Sequence, residues 1–293
     1  MLTGLRDKLR FDASFWRKLA WYGAARGPTW WLRYSPPGIG VVFAAALPDK
    51  RKVVRDNLRS ILGSRPAIRE HADVARTFAS FASSLADGMA LSERDRYAPT
   101  VDVIGAEHLE RAAADGSGVI LATAHTAGWE TAVTALRRGY ADRKVLVVMH
   151  READGQAGAM HDAWRRELGF EIVHAGEDPL SSLPLLRHLR EGGFVAVQLD
   201  RSPEGIRGRS VPFHGRTLRV PEGPFQLAAL TGCPIVPVFS RRTGFLRYEL
   251  VLRPAIRVAR RPDDHELDRA VQHAASSLAE HVGAHPTQWF HFA

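Results

Sequence analysis

Apolar positions change rhythm along this chain. Up to about residue 95 they recur at helical spacing, as in "LPDKRKVVRDNLRSIL" (47–62), with Val53, Val54, Leu58, Ile61 and Leu62 on one face, and in "VARTFASFASSLADGMAL" (74–91). Pro99 breaks that pattern. From 101 onward short apolar runs alternate with amphipathic segments. "VDVIG" precedes helical "AEHLERAAA", "GVILATA" precedes "ETAVTALRR", and "KVLVVM" (144–149) precedes "AMHDAWRREL". "FEIVH" (170–174) leads to "LSSLPLLRHLR", and "FVAVQLD" (194–200) leads through a loop to "EGPFQLAAL". The strands "PIVPVFS" and "FLRYELVL" then form a hairpin turning at Thr243-Gly244, and a last helix covers about 266–283.

Strands this short and apolar, alternating with helices, predict an α/β fold with a mostly parallel mixed sheet covered on both faces. The late hairpin is expected as an antiparallel edge. The predicted organisation is an N-terminal helical, membrane-interface segment (1–95) followed by an α/β domain (96–293). The ten-residue apolar run 38–47, just after Pro36-Pro37, is too short to span a bilayer, which needs about 20 residues. It reads as a core helix ahead of an interfacial one.

Composition changes the picture in one respect. The 293 residues carry 40 Lys+Arg against 32 Asp+Glu, a net charge of +8, with a pI near 10.1. Such a surface favours anionic partners. No Lys/Arg run is interleaved with aromatics as a nucleic-acid platform requires, so no nucleic-acid partner is expected. Trp16, Trp21, Trp30 and Trp31 stand among Arg and Lys in 11–34, which suits a headgroup-level segment on an anionic lipid membrane. The opening "MLTGLRDKLRFDASF" lacks the apolar core of a secretory leader. Cys233 is the single cysteine, which excludes an internal disulfide and fits a reducing compartment.

The candidate chemistry centres on "VILATAHTAGWETA" (119–132), a strand running into a helix. On one helix His125 and Glu130 would point about 140° apart. If His125 instead ends the strand and Glu130 opens the helix, the small residues Thr126, Ala127 and Gly128 let the turn bring them together. A carboxylate on one ring nitrogen fixes the tautomer and leaves the other nitrogen as a general base. The helix N-terminus offers N–H groups to an oxyanion. The competing reading is a turn histidine beside a Glu that only complements the helix dipole. Asp200 and Arg201 end a second buried strand, and read either as substrate-orienting or as a capped turn with a solvated Arg. The loop 201–219 holds Arg201, Arg207, Arg209, Arg216 and Arg219 against Glu204, and reads as a phosphate grip or as solvated surface. His150, His161, His174 and His214 form no metal-binding spacing, so no metal is expected.

The motif "ATAHTAGWE" resembles the HX4D/E motif of glycerolipid-type acyltransferases, and in particular that of the bacterial lipid A biosynthesis (lauroyl/myristoyl) acyltransferase family, with Ala127-Gly128 in place of the usual Gly-Asn before Trp129. "RKVVRDNL" (51–58), "QLDRSPEGIRGRSVPFHGRTLRVPEGPFQLAALTGCPIVPVF" (198–239) and "HPTQWFHF" (285–292) are similar to further family blocks in order. The resemblance implies a glycerol-3-phosphate acyltransferase-like fold, and transfer of an acyl group from a thioester to a hydroxyl of a glycolipid such as a lipid A precursor. His125 would deprotonate the hydroxyl and Glu130 would orient and stabilise the imidazolium. Gly128, Trp129, Arg151, Arg165, Asp200, Arg201, Arg207, Arg209, Phe213 and Gly215 would contact substrate. No G-x-S-x-G elbow is present, which agrees with direct attack rather than an acyl-enzyme. No cofactor is implied beyond the donor, an acyl carrier protein or coenzyme A thioester, and the charge leans toward the acidic carrier. The expected location is peripheral, on the cytoplasmic face of the bacterial inner membrane. Two other readings stay open: a different lipid or specialised-metabolite acceptor, and a non-catalytic lipid-binding relative. A His–Glu hydrolase would need only a wet site.

Overall fold

The computed structural model describes residues 22–23, 26–91, 97–140, 142–149, 166, 171–174, 182–202 and 205–292. Arg151, Arg165, His150, His161 and the expected helix around 159–168 lie outside the described residues, as do Trp16 and Trp21.

Among the described residues, three helices with stated bounds precede the sheet: α1 (Thr29–Ala46), α2 (Pro48–Leu62) and α3 (Ala67–Ala90). The apolar run 38–47 is the C-terminal half of α1, which runs through Pro36 and Pro37 without breaking. The expectation of a core helix there is corrected: only Leu32, Pro36, Gly40 and Ala44 are buried, a stripe at every fourth position that packs on α3, while Ile39, Val41 and Val42 face outward. Helix α3 begins earlier than its apolar pattern suggested, directly after Pro66. Pro66 is the N-cap residue there, where its fixed φ suits a helix start and its missing N–H breaks no helical bond.

Among the described residues there follow β1 (Thr100–Ile104), α4 (Ala106–Ala113), β2 (Val119–Thr123), α5 (Trp129–Gly139), β3 (Val145–Met149), β4 (Glu171–His174), α6 (Leu183–Arg190), β5 (Phe194–Gln198), β6 (Gly208–Phe213), β7 (Arg216–Pro221), α7 (Gly223–Thr231), β8 (Ile235–Gly244), β9 (Arg247–Leu252), α8 (Asp264–Ala284) and a 3-10 turn (Pro286–Gln288). Seven strands form a mixed sheet in the order β1-β9-β8-β2-β5-β3-β4. All pairings are parallel except β8 with β9.

Two expectations are corrected here. The late hairpin is not an edge, because β1 pairs outside β9 and leaves its own outward side exposed. The loop 201–219 is largely a second two-stranded sheet, β6 against β7. Its turn is His214-Gly215, both at positive φ (46° and 71°), which is the two-residue geometry whose twist matches a hairpin. The intervening Gly of the sequence pattern was the signal for it.

Strand alternation assigns the two faces. Ile120, Ala122, Val195, Ile235 and Phe239 face α6, α7, α8 and the β6–β7 hairpin. Val119, Leu121, Phe194, Val236, Val238 and Leu250 face α4 and α5. A sheet buried on both sides explains why its central strands read as unbroken apolar runs. Helix α8 starts with a capping box, Asp263 accepting from the Glu266 N–H at 2.7 Å while the Asp263 N–H donates to the Glu266 carboxylate.

Candidate active site

The parallel register of β2 and β5 places Thr123 beside Gln198. The ladder continues one step, with Leu199 N–H donating to Thr123 O at 2.9 Å. Two residues beyond each strand lie His125 and Asp200, so equal overhang brings them side by side. His125 Nδ1 is 2.8 Å from Asp200 Oδ1, and the His125 backbone N–H donates to Asp200 Oδ2 at 3.1 Å. The carboxylate that holds the ring is therefore Asp200, the residue that the sequence left undecided, and this corrects the assignment of that bond to Glu130. Glu130 is itself buried in the first turn of α5.

Asp200 is fully buried and accepts a third hydrogen bond, from Trp289 Nε1 at 2.9 Å. Burial alone would raise its pKa. The positive charge and hydrogen bond of His125 outweigh that, helped by His291 and Arg201, and hold the carboxyl well below its usual range. An ionised Asp200 is an acceptor only, so Nδ1 must carry the proton and donate. In the neutral tautomer this puts the lone pair on Nε2, on a side chain that is 26% exposed. An imidazole oriented by a buried carboxylate, with its other ring nitrogen outside that bond, can act as a general base.

The turn is fixed from two sides. The C-terminal segment lies antiparallel to it: Phe290 N–H donates to His125 O at 2.7 Å, and Ala127 N–H donates to Gln288 O at 3.2 Å. Arg201, half-buried, donates from Nη2 to Phe290 O at 2.9 Å. Helix α2 secures the same segment through Asn57 Nδ2 to His291 O (2.8 Å) and Lys50 Nζ to Phe292 O (3.1 Å). On the other side Gly128, at φ +81°, caps α5. A Cβ at Gly128 would stand 2.2 Å from ring carbons of Tyr248, so only glycine fits both the dihedral and the space. The Tyr248 hydroxyl donates to buried Asp87 at 2.8 Å, which also accepts from Arg242 Nε at 2.8 Å.

The other candidates separate. Trp129 opens α5 and lines a narrow slit of about 20 Å³ between α5 and the sheet, with Thr126, Val133, Leu136, Val147 and Leu250. Phe213 is buried with its ring 5.3 Å from that of Trp289, so it supports the side chain that holds Asp200. Gly215 sits in the hairpin turn. Arg207 is exposed. Arg209 is clamped by carboxylates: Asp264 at 2.6 Å, Asp268 at 2.7 Å and Glu222 at 3.3 Å. Its guanidinium pKa is pushed up by the hydrogen bonds it donates to Asp264 and Asp268. Cys233 is buried. Among the described residues no group of three His, Cys, Asp or Glu stands where it could hold a metal ion. The residue the sequence missed is Trp289. The "HPTQWFHF" block was its only signal, and nothing local says that its indole reaches a strand end 89 positions away.

The fold and this turn make an open-sheet α/β protein with a histidine–aspartate pair at the carboxyl ends of adjacent parallel strands, where such sheets carry their chemistry. The family follows from the whole chain. A sequence model described as bacterial lipid A biosynthesis acyltransferase matches residues 12–293, and the chain belongs to that family. It is 28% identical over 205 residues to the phosphatidylinositol mannoside acyltransferase of Mycolicibacterium smegmatis, covering 69% of this chain and 66% of that protein. The counterpart in Mycobacterium tuberculosis is 28% identical over 191 residues, 63% of this chain and 56% of that protein. The chain thus spans about two thirds or less of the length of these curated relatives. A solved 1-acyl-sn-glycerophosphate acyltransferase from Thermotoga maritima aligns over 84% of this chain and 95% of its own, at 16% identity and a TM-score of 0.39.

Proposed function

We propose that this protein is an O-acyltransferase that moves a fatty acyl chain from a thioester to a sugar hydroxyl of a glycolipid. The observation that carries the reading is His125, with Nδ1 held by ionised Asp200 and Nε2 left free. Nε2 takes the proton of the acceptor hydroxyl as its oxygen attacks the thioester carbonyl. The tetrahedral oxyanion is stabilised by N–H groups of the first turn of α5. Collapse breaks the C–S bond, and the imidazolium returns its proton to the departing thiolate. Asp200 orients the ring and offsets the imidazolium charge. Glu130 adds a second buried carboxylate next to the turn.

The donor is a coenzyme A or acyl carrier protein thioester, both anionic partners for a chain of net charge +8. The acyl chain enters the apolar slit behind Trp129. At about 20 Å³ the slit must widen, since ligand pockets usually hold about 300 Å³ or more. The acceptor is taken as a phosphatidylinositol mannoside-type glycolipid ahead of a lipid A precursor, on the strength of the curated relatives. The work is placed at the cytoplasmic face of the inner membrane, peripherally.

The experiment offers purified protein a mixture of acyl thioesters with extracted glycolipids and weighs the products by intact mass. Wild type should form acylated glycolipid, and His125→Ala should lose at least about a hundredfold in rate while still folding. Free fatty acid as the sole product would make it a hydrolase, and near wild-type turnover by His125→Ala would remove the histidine from the mechanism.

A further inference from the structure

The carboxylate of Asp200 has to face one way to orient His125, and its own side chain does not fix that. The terminal torsion of an aspartate is broad and roughly two-fold, so its partners set the plane of the carboxylate. Three hydrogen bonds are described on it. Oδ1 takes the His125 ring N–H at 2.8 Å, while Oδ2 takes the His125 backbone N–H at 3.1 Å and the Trp289 indole N–H at 2.9 Å. Two of the three come from the residue that the carboxylate must itself orient. The third ties the pair to the rest of the molecule.

Trp289 is held from several directions. Its buried ring packs against Phe213, with centroids 5.3 Å apart, and stacks on His291 at 4.9 Å. Its backbone forms a bridge with Thr126. Gln288 before it is bonded to Arg242 of β8 through both halves of its amide, Oε1 accepting from the Arg242 N–H at 2.7 Å and Nε2 donating to Arg242 O at 2.9 Å. After it, α2 holds the carbonyls of His291 and Phe292, and the rings of Phe290 and Phe292 pack on Phe81 of α3 at 5.3 and 5.1 Å. A phenyl ring could fill the same apolar space, so packing does not account for the nitrogen. An indole N–H is a donor only, and it demands an acceptor at Oδ2.

We propose that Trp289 is a positioning residue for the His125–Asp200 pair: its N–H pins Oδ2 and so presents Oδ1 to the His125 ring. The assignment rests on the reading of His125 as the general base. It makes the C-terminal segment part of the active site. A supporting shell of this kind holds working groups to within about 0.5 Å of their productive geometry. Trp289 acts through Asp200, so its loss should slow the chemistry and leave substrate binding alone.

The test replaces Trp289 in the full-length protein by 3-benzothienylalanine, which keeps the shape of the indole and has sulfur in place of its N–H. The kcat for acyl transfer should fall at least about tenfold, with KM for donor and acceptor within about twofold of wild type. Trp289→Phe should lower kcat in the same way. In an Asp200→Asn background the benzothienyl replacement should cost less than about threefold more, because a residue acting through Asp200 then has nothing to position. Equal losses in the two backgrounds, or a raised KM at unchanged kcat, would overturn the assignment. A second arm needs no turnover. The His125 Nδ1 proton, identified by its absence in His125→Ala, should move or broaden in the NMR spectrum of the substrate-free benzothienyl protein. An unchanged resonance would overturn the assignment whatever the activity. A moved resonance in a protein that transfers no acyl group would uphold the positioning and remove the reaction assigned to the site.

Discussion

His125–Asp200 and Arg209 are both charged clusters drawn together across long stretches of sequence, yet they end in opposite chemical states. At Asp200 three N–H donors, from the His125 backbone, the His125 ring and Trp289, converge on two carboxylate oxygens. One nitrogen of the same imidazole is left uncommitted, on a partly exposed side chain. At Arg209 three carboxylates converge on one guanidinium, and Nε, Nη1 and Nη2 all donate inward. The first ties the ends of β2 and β5 to the C-terminal segment, and the second ties β6 to the α7 cap and to α8. Only the first retains an atom with something left to do. Residue type does not separate a site from a strut; the uncommitted valence does.

The largest effect that tests this contrast is expected from Asp200→Asn. The amide has the carboxylate's shape but only one acceptor oxygen. If that oxygen serves the side shared by the His125 backbone and Trp289, the NH2 group faces Nδ1 and draws the ring into the tautomer whose Nε2 carries the proton. If the amide flips, its NH2 meets two N–H donors. Either way the base is lost or the site strained, and acyl transfer should fall on the order of a hundredfold. Stability carries a pH signature as well. The folded-state pKa of Asp200 is depressed, so its contribution is present above the unfolded value of about 3.9 and is lost as pH falls through that value toward the folded one. The gap in melting midpoint between wild type and Asp200→Asn should be full at pH 6 to 7 and shrink below about pH 4. A constant gap across that range would mean that Asp200 is not held ionised.

Much of this was legible before any coordinates. The alternation after residue 101 encodes the parallel sheet because strands covered on both faces must be apolar throughout, and "ATAHTAGWE" marks the strand-to-helix turn with its glycine. Three things were not legible. The partner of His125 depends on the β2–β5 register, a pairing between strands 75 residues apart. Trp289 reaches Asp200 only because the last residues fold back beside the turn. The middle of α1 looked like core because hydrophobicity alone does not say which side of a helix finds a neighbour. The arginines between 201 and 219 misled in the other direction: their density suggested a phosphate grip, while the acids that neutralise Arg209 lie on the α7 cap and α8, far along the chain.

Arg209→Met comes next in size and should act on the fold. It removes a mostly buried cation from Glu222 and leaves that acid, itself buried, without its guanidinium partner. The partners Asp264 and Asp268 are largely exposed, so much of their attraction is screened by water. A loss of about 1–2 kcal/mol in unfolding free energy is expected, read as a lower urea midpoint at unchanged slope. Acyl-transfer kinetics measured well below the melting transition should stay within about twofold of wild type. A raised KM at an unchanged urea midpoint would return Arg209 to substrate recognition and break the contrast between the two clusters.

The smallest effect on stability should come from Arg207→Ala, and it sharpens the contrast between two arginines two positions apart. Arg207 lies two positions from Arg209, just before β6 begins. Arg207 is exposed, while Arg209 is held among acids. Truncating an exposed arginine away from caps and cores changes stability by no more than about 0.5 kcal/mol. Any change in kinetics therefore reports on substrate directly. If Arg207 meets a phosphate of the donor or the acceptor, its loss raises KM for that substrate with kcat nearly unchanged, the mark of binding shared by ground and transition states. Arg207→Lys should recover only part of the loss, since an ammonium cannot make the bidentate contact. With both KM values unchanged, the hairpin's arginines would serve the fold and the general attraction of anions, and recognition of phosphate would have to be sought elsewhere on the chain.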